Sequence, residues 1–175
     1  MSKQWSVKNP FTKDNYVLRL LSAPFGPSSK GNTMFTAEFE IASPNEMVSQ
    51  GETYTVTGTK LRHYVTVQVF LKDGSLDIEK TQKLAEGNTG IEAFYKAFGL
   101  VKPDDFNAEN PDISVLIGKT TWALVEADAV VQRKDPTPEQ SAAKQLGDII
   151  VNPVSGEKNE RYYPKVVEFY GPATI

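Results

Sequence analysis

A chain of 175 residues with 39% hydrophobic and 23% charged side chains has the size and composition of a single globular domain. The absence of cysteine excludes disulfides, thiolate zinc sites and a cysteine nucleophile. The net charge of -3 disfavours a protein that coats duplex DNA by bulk charge, although it permits a local basic groove. No run approaches the roughly 18 apolar residues of a membrane span, and no secretory signal opens the chain. We therefore expect a cytoplasmic protein with no membrane partner.

The first 41 residues predict an arm followed by two strands. Residues 1–14 mix aromatic and basic side chains around a proline, which is typical of an extended arm. The apolar runs Tyr16–Leu21 and Met34–Ile41 are separated by a loop rich in proline, glycine and serine. The second run alternates, and its apolar residues share one face of a half-buried strand: Phe35, Ala37, Phe39 and Ile41.

The middle of the chain predicts two more strands and then two short helices. The same alternation of apolar and polar residues predicts strands at Thr53–Thr57 and Arg62–Phe70. Apolar residues at helical spacing predict helices over Ile78–Ala85 and Ile91–Phe98. Asp77 and Thr89 are the expected N-caps of these helices.

The last third of the chain is predicted to return to strands. Ile113–Val131 is apolar apart from a glycine-lysine break, which predicts one bent strand or two. Trp122 shares a face with another apolar residue of this run and is expected in the core. The polar residues 134–160 predict a mobile insertion, and the aromatic run Tyr162–Tyr170 predicts a final strand.

These elements predict a mostly β protein forming one domain over residues 1–175. We expect an OB-like Greek-key barrel with two short helices between strands and a long hairpin insertion. A sandwich of two sheets is the alternative architecture.

The residues that ordinarily support catalysis or metal binding are scarce. His63 is the only histidine and lies on the inward period of its strand, so we expect a packed ring rather than a base. The motifs of zinc proteases, EF-hands and dinucleotide-binding folds are missing, and Gly118-Lys119-Thr120 lacks the upstream glycine of a P-loop. Four acids fall in a loop where carboxylates ordinarily face water: Asp104, Asp105, Glu109 and Asp112. We therefore expect no enzymatic activity, no metal and no cofactor.

Aromatic side chains interleaved with cations predict a surface that binds single-stranded nucleic acid, which needs positive charge for phosphates and ring faces for bases. One cluster belongs to the strand in the middle of the chain: Lys60, Arg62, Tyr64, Gln68 and Lys72. A second belongs to the final strand and its approach: Arg161, Tyr162, Tyr163 and Lys165. The loop between the first two strands adds a third wall: Phe25 and Lys30. The alternative interpretation places these tyrosines in the core, with the lysines keeping a strand edge soluble.

The order of these elements is similar to that of a known family. The run Asn15–Leu20, a loop, the strand Phe35–Ile41, two helices ending at Phe94–Leu100 and a strand entry at Leu116–Lys119 resemble bacteriophage single-stranded-DNA-binding proteins. The resemblance implies an OB fold and a role in phage DNA replication and recombination. Many members end in an acidic tail that recruits replication partners, whereas Phe169–Ile175 is not acidic, so recruitment by such a tail is not expected.

The leading hypothesis is therefore a non-enzymatic protein that binds single-stranded DNA without sequence preference and protects it. Phage or host replication and recombination proteins, and further copies of the chain, are the other candidate partners. The runner-up is a phage structural protein, such as a tail or head-completion subunit, in which the arm and the insertion would serve assembly. An enzyme that hides carboxylates on its loops is a third alternative.

Overall fold

A computed structural model describes residues 2–28, 30–107, 113–129, 150–151, 158–159 and 162–173. These residues form a mostly β protein with two short α-helices, as the sequence predicts. The elements in chain order are β1 (Lys3–Gln4), β2 (Asp14–Ser22), β3 (Phe25–Pro27), β4 (Thr33–Ser43), β5 (Glu46–Ser49), β6 (Glu52–Thr55), β7 (Lys60–Gln68), α1 (Ile78–Ala85), α2 (Ile91–Ala97), β8 (Thr120–Ala129), β9 (Ile150–Val151), β10 (Lys158–Asn159) and β11 (Tyr162–Pro172). None of the helices in the described residues is long and apolar enough to cross a membrane.

The larger sheet has the strand order β11–β8–β2–β4–β7, with β3 continuing β2 along the same edge of β4. All of these pairings are antiparallel. The two outermost strands, β7 and β11, come close to each other, but no backbone hydrogen bond joins them within the described residues. The sheet is therefore strongly curved and stays open along one seam, between β7 and β11.

A smaller sheet of β1, β6 and β5 is built partly from the N-terminal arm. β1 pairs in parallel with β6, and the Trp5 amide continues this contact by donating to the Thr55 carbonyl at 3.1 Å. The Trp5 indole donates to the Asn9 carbonyl, and Phe11 is buried against Tyr16. The arm is thus attached to the body of the protein by hydrogen bonds and by a buried aromatic side chain.

The core lies on the inner face of the larger sheet and is closed by α2. Phe35, Ala37, Phe39 and Ile41 of β4 are all buried, which confirms the predicted alternation of that strand. Phe94 of α2 packs against this face, with its ring 5.1 Å from that of Phe35. Burial of these apolar side chains is the main source of stability available to a protein without cross-links.

Both predicted helices are confirmed, with one correction to their caps. Asp77 is the N-cap of α1, where its carboxylate accepts from the Lys80 amide. The N-cap of α2 is Gly90 rather than Thr89. A Cβ at Gly90 would overlap the carbonyl oxygen of Leu84, so the close approach of the end of α1 requires glycine there. α1 itself buries no residue, and Ile78 is 73% exposed, so its apolar spacing does not mark a core face.

The region before β8 differs from the prediction in two respects. Ser114–Leu116 forms a 3₁₀ turn instead of the first half of a bent strand, and β8 begins only at Thr120. Trp122 is 42% exposed, so its predicted place in the core is wrong. The inner face of β8 carries the smaller residues Thr121, Ala123 and Val125, because the bulky side chains of β2, β4 and α2 already fill the interior. The predicted insertion at 134–160 lies outside the described residues, apart from β9 and β10.

Candidate nucleic-acid interface

The open seam between β7 and β11 forms a groove of about 780 Å³. Lys60, Arg62 and Tyr64 line it from β7, and Tyr163 and Lys165 line it from β11. Three residues of the first predicted cluster and two of the second, which are far apart in the chain, are therefore brought to one groove. Its floor is largely apolar and is made by neighbouring residues of the same strands: Leu61, His63, Pro164 and Val166.

The β7 wall follows from the alternation of that strand. Val65 and Val67 point into the core, so Lys60, Arg62 and Tyr64 point outwards, and the Tyr64 ring is 59% exposed. Lys60 Nζ lies 3.9 Å from Glu38 Oε1, a long ion pair between partly exposed groups. Arg62 makes no ion pair within the described residues, so its guanidinium is free to bind an anion.

The β11 wall supplies a second ring and a second cation. Tyr163 is 52% exposed, and Lys165, two residues further along, lies on the same face of the strand. Lys165 has no ion-pair partner among the described residues, and its positive charge acts on His63 across the groove. Each wall therefore presents one exposed tyrosine and one unpaired cation.

His63 lies in the floor of the groove, where the groove meets the core. Its Nε2 donates to the Thr89 carbonyl at 3.1 Å, and its ring packs edge-on against Phe169 with centroids 5.3 Å apart. Burial lowers the pKa of His63, and Lys165 lowers it further, while the hydrogen bond to Thr89 raises it. The ring is packed, as predicted, and is neutral near pH 7.

Five other predicted site residues do not line this groove, and a sixth, Arg161, lies outside the described residues. Gln68 accepts from the Thr33 hydroxyl at 2.9 Å at the far end of β7, and Lys72 lies in the turn that follows. Phe25 pairs with the buried Phe35, so it lies on the opposite face of the sheet from Tyr64. The remaining two are Lys30, in the turn between β3 and β4, and Tyr162, whose amide donates to the Val7 carbonyl.

Sequence reasoning missed two acidic residues beside the groove, Glu38 of β4 and Asp128 of β8. Glu38 is the register partner of Arg62, and Asp128 is the register partner of Tyr163. Alternation in β4 indicates that Glu38 faces outwards, but the residue beside it depends on strand pairing, which a single sequence does not specify.

A second pair of exposed aromatic side chains lies elsewhere on the sheet. Trp122 of β8 and Tyr170 of β11 line a shallow depression of about 360 Å³, together with Asn15 and Pro172. Tyr170 is 50% exposed, much like the groove tyrosines, but none of the described residues that line this depression is a cation. It therefore offers rings without a site for phosphates.

The described part of the chain contains no group of three or more His, Cys, Asp or Glu side chains placed to hold a metal ion. Asp104 and Asp105 are exposed in their loop, while Glu109 and Asp112 lie outside the described residues. Comparison with known proteins found no family model that matches this chain and no curated protein that matches its sequence. The groove must therefore be interpreted from its own residues.

Proposed function

We propose that this chain is a non-enzymatic protein that binds single-stranded DNA in the groove between β7 and β11. The observation that carries the proposal is the convergence on that groove of two exposed tyrosines and of two cations with no ion-pair partner in the described part of the chain: Tyr64, Tyr163, Arg62 and Lys165. Binding of single strands needs these two ingredients together, since phosphates require positive charge and bases require ring faces. Because every base has a ring face, such binding is largely independent of sequence.

An OB-like barrel is the architecture that we propose for the larger sheet. In such barrels the helix follows the third strand, and the second and third strands carry the ligand. Here β2, β4, β7, β8 and β11 would be the five barrel strands, with α1 and α2 after the third. The groove then lies beside β4 and β7, the strands expected to bind an oligonucleotide.

The apolar floor of the groove favours a single strand, with its bases, over a phosphate group alone as the ligand. Leu61, Pro164 and Val166 are buried beneath the groove, so they offer no hydrogen-bonding side chain to a phosphate and only a narrow apolar strip to the edge of a base. A nucleotide would therefore place its phosphate near Arg62 or Lys165 at the rim and its base between the tyrosines. In phage replication or recombination, such a protein would protect transiently unpaired DNA.

The assembly alternative assigns the N-terminal arm and residues 134–160 to contacts with other subunits. Within the described residues, residues 3–5 of the arm pair with β6, and Phe11 is buried. We therefore retain DNA binding as the one proposal that a feature of the described structure favours.

The test is fluorescence anisotropy of a labelled oligothymidine titrated with the protein at several salt concentrations. We expect saturable binding that weakens with salt, because each phosphate contact releases a counterion and contributes about -0.7 to the slope of log K against log salt. Arg62→Ala and Lys165→Ala should each weaken binding and make this slope shallower by roughly that amount. Lys80→Ala, which removes an exposed cation of α1 away from the groove, is the matched control.

The absence of binding at low salt would contradict the proposal outright. Equal losses of affinity in Lys80→Ala and Lys165→Ala would show that binding depends on net charge alone. The groove would then not be the binding site.

A further inference from the structure

We infer that Asp128 and Glu38 make the groove select single-stranded over duplex DNA. The inference rests on the proposed function and adds a selection mechanism to it. Two carboxylates line a groove that is proposed to bind a polyanion, although like charges repel.

Five charged residues line the groove, and four of them form an ordered series across it, with Lys60 beside Arg62 on β7. Glu38 pairs with Arg62 between β4 and β7, and Asp128 lies on β8 beside β11, the strand that carries Lys165. Neighbouring strands are about 4.8 Å apart, so Glu38 lies one strand outside Arg62. Asp128 lies one strand outside β11, two register positions from Lys165, whose own register partner is Glu126. From one side to the other, the charges are negative, positive, positive and negative.

The acids in the groove have weaker ion pairs within the described residues than two similar acids outside it. On the same strands, Glu40 is paired with Arg19 at 3.0 Å and Glu126 with Lys13 at 3.6 Å. Glu38 has only the 3.9 Å contact with Lys60, and Asp128 has no ion pair within the described residues. Negative charge that is paired only weakly (Glu38), or that has no ion pair within the described residues (Asp128), thus lies at the two borders of the groove.

This arrangement accepts one row of phosphates and opposes a second. A single strand can lay its phosphates along Arg62 and Lys165 and turn its bases to the tyrosines. A duplex carries one negative charge per roughly 1.7 Å of its axis, on two strands, and its stacked bases cannot reach the floor. Its second row of phosphates would extend over one of the carboxylates, where like charges repel. Repulsion of the wrong ligand is a general source of specificity.

The experiment compares the affinity of each variant for one mixed-sequence strand and for its duplex. The strand should have about 20 nucleotides, more than the ~4–16 that one OB fold covers. Asp128→Asn keeps the size of the side chain and removes its charge, and it should strengthen duplex binding roughly twofold to fivefold, with less change for the single strand. Adding Glu38→Gln should increase the gain for the duplex, and rising salt should abolish it.

Two controls separate this effect from net charge and from folding. Asp105→Asn makes the same chemical change at an exposed residue that does not line the groove, and it should leave the preference for single strands unchanged. Asp128→Glu keeps the negative charge and should keep the preference for single strands that Asp128→Asn weakens.

Equal gains for strand and duplex in Asp128→Asn, or no gain for either, would overturn the inference while leaving single-strand binding intact. A wild-type protein that binds neither ligand would instead overturn the proposed function, and the inference with it.

Discussion

The two faces of the β4–β7 pair use aromatic side chains in opposite ways. On the inner face, Phe35 and Phe39 are fully buried against Phe94 of α2. On the outer face, Tyr64 is more than half exposed, although the next residue along the strand, Val65, is buried. Because alternate residues of a strand point to opposite faces, stability and ligand binding are carried by neighbouring but separate side chains. Substitutions on one face should therefore change one property and leave the other.

The largest effect is expected on the inner face. Phe94→Ala removes a ring that contacts Phe35 at 5.1 Å, Phe98 at 5.4 Å and Phe169 at 5.9 Å. Loss of a fully buried ring should lower the free energy of unfolding by about 3–5 kcal/mol, measured by urea denaturation. Leu84→Ala, at an exposed position of α1, should cost much less. Similar losses in the two variants would show that α2 does not close the core.

An effect of intermediate size is expected on the outer face. Tyr64→Ala should weaken binding of oligothymidine by about 1–3 kcal/mol, the usual contribution of one stacked base, and should change the free energy of unfolding by less than about 0.5 kcal/mol. Tyr170→Ala is the matched control, because that ring is similarly exposed but lies away from the groove. If Tyr170→Ala weakens binding as much as Tyr64→Ala, DNA binding cannot be assigned to the groove.

The smallest effect is expected at His63, which belongs to both the groove and the core. Because burial lowers its pKa, the folded protein takes up this proton less readily than the unfolded chain does. Its contribution to stability is therefore complete above the ordinary histidine pKa of about 6.5 and declines as the pH falls below that value. His63→Gln should reduce the fall in melting temperature between about pH 7.5 and about pH 5.5. An unchanged pH dependence would show that the ring is not buried.

Features of the fold that depend on a regular pattern along one strand or helix could be predicted from the sequence. Alternation identified the buried face of β4 and the outward face of β7, and Asp77 identified the start of α1. These signals are local, because a side chain's face depends on its own position in the strand. The prediction for Trp122 failed because its burial depends on how much of the interior the other strands already fill.

The candidate site was only partly accessible to sequence reasoning. Tyr64 and Tyr163 could be proposed from their cationic neighbours, but their convergence on one groove follows from the strand order. Gln68 was included because it shares the outward face of its strand with Tyr64, and Phe25 because its loop could form a third wall. The structure places both away from the groove. Asp128 was missed because an acid beside a basic track has no signature in a single sequence.

Photocrosslinking tests most directly whether the groove between β7 and β11 holds the DNA. A single strand carrying 5-bromodeoxyuridine is bound and irradiated, and the modified residues are identified by mass spectrometry. We expect adducts on Tyr64 and Tyr163, and we expect them to disappear when an excess of unlabelled single strand competes for the site. Adducts confined to Trp122 and Tyr170, the equally accessible rings outside the groove, would contradict the central claim.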